Sequence, residues 1–129
     1  YVRKVVILEG KERDVLTAAV EQVMKCVGEV VVREPEPMVN IITVWDECEW
    51  RVAVFPRREH RPSQFFLEDE AEKIVFSPGA VDFGGIMILP RKEDFDRLQV
   101  EKETIADMFG QLSFTDEQFA ELTNKIAEF

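Results

Sequence analysis

One histidine, His60, and two cysteines, Cys26 and Cys48, are the only imidazole and thiols in a chain of 129 residues. No pair of histidines exists to hold a metal, and Cys26, Cys48 and His60 lack zinc-ligand spacing. No metal or cofactor is therefore expected. The phosphate-cradling patterns G-x-x-x-x-G-K-[ST] and G-x-G-x-x-G are absent. Ser77 does not sit in a G-x-S-x-G elbow, and the many carboxylates are scattered along polar faces rather than paired for acid–base work. No apolar run approaches the roughly 20 residues that span a bilayer, and no signal peptide is visible. Positive charge is outnumbered, with 16 Lys and Arg against 26 Asp and Glu. A net charge of −10 leaves no broad basic face, which argues against general nucleic-acid binding. Two cysteines do not make a disulfide scaffold, so reduced thiols and a cytoplasmic protein are expected.

What remains is ordinary in length and balance: enough chain for one domain, residues 1–129, around one core. The richest stretch is Val39 to Pro62. Asn40 to Trp45 and Trp50 to Phe55 are β-branched and aromatic runs. Asp46, Glu47, Cys48 and Glu49 separate them, a loop of hairpin length kept in water by its acids. Pro56 has no N–H for a ladder, so the second strand is expected to end there.

Arg57, Arg58, His60 and Arg61 follow. From Arg51 to Pro62, four arginines against Glu59 give a formal +3 within an acidic chain. Guanidinium forks at a strand end suit phosphate, because each can engage two oxygens. The other reading is a solvated loop paired with Glu68, Asp69, Glu70 and Glu72. His60 could bind an anion or act as a nucleophile, but a lone histidine in such a loop is more often only a loop residue.

Elsewhere, Val2 to Leu8 reads as a strand. Lys11 to Val27 reads as a helix, with Leu16, Ala19, Val20, Val23 and Val27 on one face and Gly28 as its C-terminal stop. Glu29 to Val32 is a candidate short strand, and Arg33 to Pro37 cannot be helical. Pro62 to Phe66 is expected to make one helical turn with Phe65 and Phe66 inward. Ile74–Phe76 and Gly85–Leu89 are expected as short strands, with a turn at Ser77-Pro78-Gly79 and a close backbone or ligand approach at Gly84-Gly85. Glu93–Leu98, with Phe95 and Leu98 inward, and Glu101–Leu112 read as helices. Thr115 and Gln118 form a capping box that opens a last helix, Asp116–Phe129, with Phe119, Leu122 and Ile126 on one face.

Three pieces together, N-I-I-T-V-W, R-V-A-V-F-P-R and S-P-G-A-V-D-F-G-G-I-M-I-L-P-R-K-E-D-F-D-R-L, resemble a family. They are similar to the C-terminal part of GDP-L-galactose and GDP-D-glucose phosphorylases and, more distantly, to ATP adenylyltransferases of the histidine-triad superfamily. A bacterial family of the same kind is similar too. The resemblance spans Val39 to Leu98, about half of the chain, and is strongest over Ser77 to Leu98. It implies an α+β fold: a mainly antiparallel sheet flanked by helices, half of a histidine-triad-like domain. It also implies nucleotidyl transfer through a histidine of an H-x-H-x-[QH] motif. Here His60 is followed by Arg61 and Pro62, so no catalytic residue carries over. The expected partner is then a missing N-terminal half of the same protein. A chain that starts at Tyr1 without a methionine agrees with that expectation.

The implied ligand is a nucleotide or nucleotide-sugar, and the implied contacts are Arg57, Arg58, His60, Arg61 and Arg91. In that reading the second hairpin strand and Gly85–Leu89 run the same way in one sheet and gather the arginines at one edge. The fragment alone is expected to be inactive, the full-length protein a nucleotidyltransferase or phosphorylase. The alternative is a non-catalytic interaction module that keeps the fold.

Overall fold

A computed structural model describes residues 4–129. In chain order it forms β1 (Val6–Gly10), α1 (Arg13–Val30), β2 (Val39–Asp46), β3 (Glu49–Pro56) and a 3-10 turn (Ser63–Phe66). Then come α2 (Ala80–Phe83), α3 (Lys92–Leu98), α4 (Lys102–Leu112) and α5 (Asp116–Ala127). The fold is α+β. The strands make one antiparallel sheet in the order β1-β3-β2, so β3 is central. Tyr1, Val2 and Arg3 lie outside the described residues, so the expected strand start at Val2 does too.

The period of two along β3 divides the core. Val52 and Val54 face α1 and α5, packing with Val23, Cys26, Val27, Phe114 and Leu122. Ala53 and Phe55 face the other way, against Ile74, Phe76, Phe83, Leu98, Met108 and Phe109. The sheet is thus covered on both faces, by two helices on one side and by the chain after Pro62 on the other.

The hairpin forms as expected, and β3 ends at Pro56. Its loop is tight: Asp46 pairs with Glu49, and Glu47 and Cys48 take φ of 48° and 64°. That left-handed pair matches the twist of the strands, although neither residue is the glycine or asparagine such turns favour. The capping box also forms, with the Gln118 N–H donating to Thr115 Oγ1 (3.2 Å) and the Thr115 N–H to Gln118 Oε1 (2.9 Å).

Several local expectations are corrected. α1 does not stop at Gly28 but runs to Val30, which also removes the strand at Glu29–Val32. Glycine costs a helix only about 1 kcal/mol, and here it makes room for Pro37, whose Cγ would lie 3.1 Å from a Cβ at position 28. Ile74–Phe76 joins no ladder, because the Asp94 carboxylate and the Gln64 carbonyl take the N–H groups of Val75 and Ile74. Gly85–Leu89 is not a strand either. Met87 and Leu89 lean on the core while Ile86 (69%) and Ile88 (60%) stay exposed. The parallel arrangement expected for that segment is therefore absent.

Phe66 and Phe95 point outward, whereas Phe65 is half-buried and Leu98 is buried as expected. The closest approach at the Gly84-Gly85 pair is that of a side chain rather than of backbone, and at Gly84 alone: a Cβ there would meet Ile42 Cδ1 at 2.9 Å, whereas Gly85 has open space. No helix among the described residues is long and apolar enough to cross a membrane.

Candidate functional site

The arginine run begins where β3 ends, and its members face different ways. Arg57 continues the strand, its N–H bonding the Met38 carbonyl at 2.9 Å, and so its side chain turns inward. It is 4% exposed. Its Nη1 donates to Asn40 Oδ1 and to the Pro78 carbonyl, and its Nη2 to the His60 carbonyl, all at 2.8 Å. The guanidinium lies 4.9 Å from the centre of the Phe83 ring. Burial pulls its pKa down to about 10, against the opposing pull of Asp82, so it stays charged at neutral pH. Only its Nε lacks a partner. Arg57 is therefore a buried clamp joining the hairpin, the loop and the turn at Pro78.

Arg58 is half-buried and reaches α4. Its Nε and Nη2 donate to the carbonyls of Ser113 (2.8 Å) and Gly110 (3.1 Å). Arg61 is exposed, donates through Nε to Ser77 Oγ at 3.1 Å and stacks 4.4 Å above the Phe65 ring. No bond within the described residues uses its Nη1 or Nη2. His60 is exposed beside a concavity of about 300 Å³ formed by Arg33 to Val39. Glu34 and Glu36 line that hollow, which makes it a poor seat for an anion.

Arg91 has a separate set of partners. It grips Asp94 with two parallel bonds, Nε to Oδ2 (2.9 Å) and Nη2 to Oδ1 (2.8 Å), and adds Glu70 at 2.6 Å and the Lys73 carbonyl at 2.9 Å. The fork raises the pKa of Arg91 and lowers that of buried Asp94. Of the acidic run downstream of the hairpin, then, Glu70 does pair with a rim arginine, while the main partner is Asp94, three residues beyond Arg91.

A second carboxylate belongs to this region and was not singled out by sequence reasoning. Asp82 is buried and accepts from the Gly79 N–H and the Ile88 N–H, both at 2.8 Å. It closes Gly79–Ile88 into a loop against the sheet. Its signal is the D of S-P-G-A-V-D-F-G-G, an acid set between a turn and a glycine pair. Among the described residues, no cluster of His, Cys, Asp and Glu is arranged to hold a metal ion.

The residues that build this loop and rim also carry the likeness in sequence. The family model described as GDPGP1-like, C-terminal domain, matches residues 1–129. The chain belongs to that family. The match extends the resemblance of Val39–Leu98 to the whole chain, so α1 and α5 are part of the GDPGP1-like C-terminal domain and not additions to it. No curated protein matches the chain, and no solved structure does.

Proposed function

We propose that this GDPGP1-like C-terminal domain is the non-catalytic half of a cytoplasmic nucleotidyltransferase or nucleoside-diphosphate-sugar phosphorylase of histidine-triad type. It completes the core and forms one wall of the nucleotide cleft. The nucleophilic histidine belongs to another part of the protein. The observation that carries this reading is the match of all 129 residues to a C-terminal-domain family, in a chain whose one histidine stands outside any H-x-H-x-[QH] pattern. Two free cysteines, Cys26 and Cys48, suit a reducing compartment.

The anion-facing role narrows within the five candidate residues. Arg57 and Arg91 spend their donors inside the domain and position the wall. Arg61, with Nη1 and Nη2 unused, is the group available to phosphate oxygens, while His60 borders the acid-lined hollow and Arg58 gives Nε and Nη2 to internal carbonyls. The rival reading, an interaction module that has kept the fold, draws support from the bonds of Arg57, Arg58 and Arg91 to internal acceptors. Nucleotide binding by the full-length protein separates the two. Arg61→Ala is expected to weaken it about tenfold, at about 1.4 kcal/mol per decade, and unchanged affinity would favour the module.

A further inference from the structure

The central strand of the sheet has neighbours on both sides, but among the described residues β2 has only one, β3. The hairpin phase decides which of its backbone groups are used. Asp46 and Glu49 close the two-residue loop, and the Arg57 N–H bonds the Met38 carbonyl beyond the far end. Even-numbered residues from Met38 to Asp46 therefore bond β3, and the N–H and C=O groups of Val39, Ile41, Thr43 and Trp45 point outward. No backbone or side-chain hydrogen bond among the described residues reaches them. The edge runs for 8 residues and has no proline, lysine or bulge to blunt it, the devices by which sheets protect an exposed edge.

Both flanks of this edge are apolar. On one face, Ile41, Thr43 and Trp50 join Leu16 and Val20 of α1 around a groove of about 360 Å³. On the other face, exposed Val44 follows Ile42, over which Gly84 packs, and exposed Val81 and Ile86 belong to that same loop. A strand laid along β2 would bury side chains on both faces. It is therefore a nearly continuous apolar run rather than an alternating one.

We propose that the outer edge of β2 accepts such a strand from the part of the same polypeptide that precedes this domain in the full-length protein. This rests on the reading of the domain as a C-terminal half. A second copy fits poorly. Antiparallel pairing of β2 with itself would bring Asp46 and Glu47 of each copy toward the segment before β2 of the other, where Glu34 and Glu36 outnumber Arg33, between chains of net charge −10. The acidic tip instead selects a strand with a basic residue at the end that meets Asp46.

Amide exchange in the full-length protein tests this. The outward amides of Ile41, Thr43 and Trp45 are expected to exchange within about tenfold of the inward amides of Asn40, Ile42 and Val44. Outward amides that exchange about a hundredfold faster or more would overturn the proposal. Thr43→Pro removes only an outward N–H, so the inward amides should keep their protection. Those of Ile41 and Trp45 should speed up about tenfold or more, and unchanged rates there would also overturn it. Protection that rises with protein concentration alongside a dimer mass would assign the edge to a second copy and overturn the named occupant. An inactive full-length protein with a protected edge would count against the enzymatic reading alone.

Discussion

Replacing Arg57 with methionine keeps the apolar stem and removes the guanidinium. Three charged hydrogen bonds go with it, to Asn40, Pro78 and His60. Each is worth about 1.5–3 kcal/mol. Against that loss stands the relief of a buried cation. A guanidinium pKa drawn from its ordinary value down to about 10 corresponds to a burial cost of about 3 kcal/mol at 1.36 kcal/mol per unit. The balance is a destabilisation of about 1.5–6 kcal/mol. It falls hardest on the Pro78 carbonyl, because Pro78 is buried and water cannot replace the donor. With a urea slope of about 2 kcal/mol per molar, the unfolding midpoint should drop by about 0.7–3 M. Urea unfolding followed by tryptophan fluorescence measures it, since the Trp45 and Trp50 rings lie 4.8 Å apart, tilted by 57°, in the hairpin. A midpoint within about 0.2 M of the wild type would refute the clamp, and a higher midpoint would mean that burial of the charge outweighs its bonds.

The Arg91 fork holds the Asp94 carboxyl below its ordinary range. Its contribution is therefore complete above the unfolded value near 3.9 and is lost as pH falls through the lower folded value. The stability gap between wild type and Asp94→Asn should be constant from pH 5 to 7 and shrink below about pH 4; a pH-independent gap would contradict this. Thr115→Ala removes the cap of α5 and should cost about 1 kcal/mol in thermal or urea unfolding. In the native protein, thiol titration should find Cys48 reactive and Cys26 silent, since Cys26 is buried and its thiol pKa is pushed up by that burial and by Glu29. Unfolding without reductant should then release both thiols.

Local signals in the sequence resolve into local structure. The β-branched runs, Pro56 and the Thr115–Gln118 pair act within a few residues, and they fall where expected. Signals whose outcome depends on distant chain do not resolve this way. Gly28 looks like a stop until Pro37 is known to lie against it. Ile74–Phe76 and Gly85–Leu89 have the composition of strands. One N–H in each, that of Val75 and that of Ile88, instead finds the carboxylate of Asp94 or Asp82, and others bond nearby carbonyls. The arginine run shows the same limit. Its charge is legible, but which guanidinium is buried depends on strand phase. Arg57 follows Phe55 onto the inner face, whereas Arg61 lies past the sheet. For Arg91 the three-residue spacing to Asp94 is the local signal, and it outweighs the denser acidic run farther away.

Turnover is the most direct test of the claim that this domain is the non-catalytic half. The full-length protein and residues 1–129 alone, at equal molar concentration, are incubated with GDP-sugars, ADP or ATP plus phosphate, and products are followed. The account predicts turnover by the full-length protein, little changed by His60→Ala, and none by the isolated domain. Turnover by residues 1–129 alone that disappears in His60→Ala would contradict it and make His60 the nucleophile.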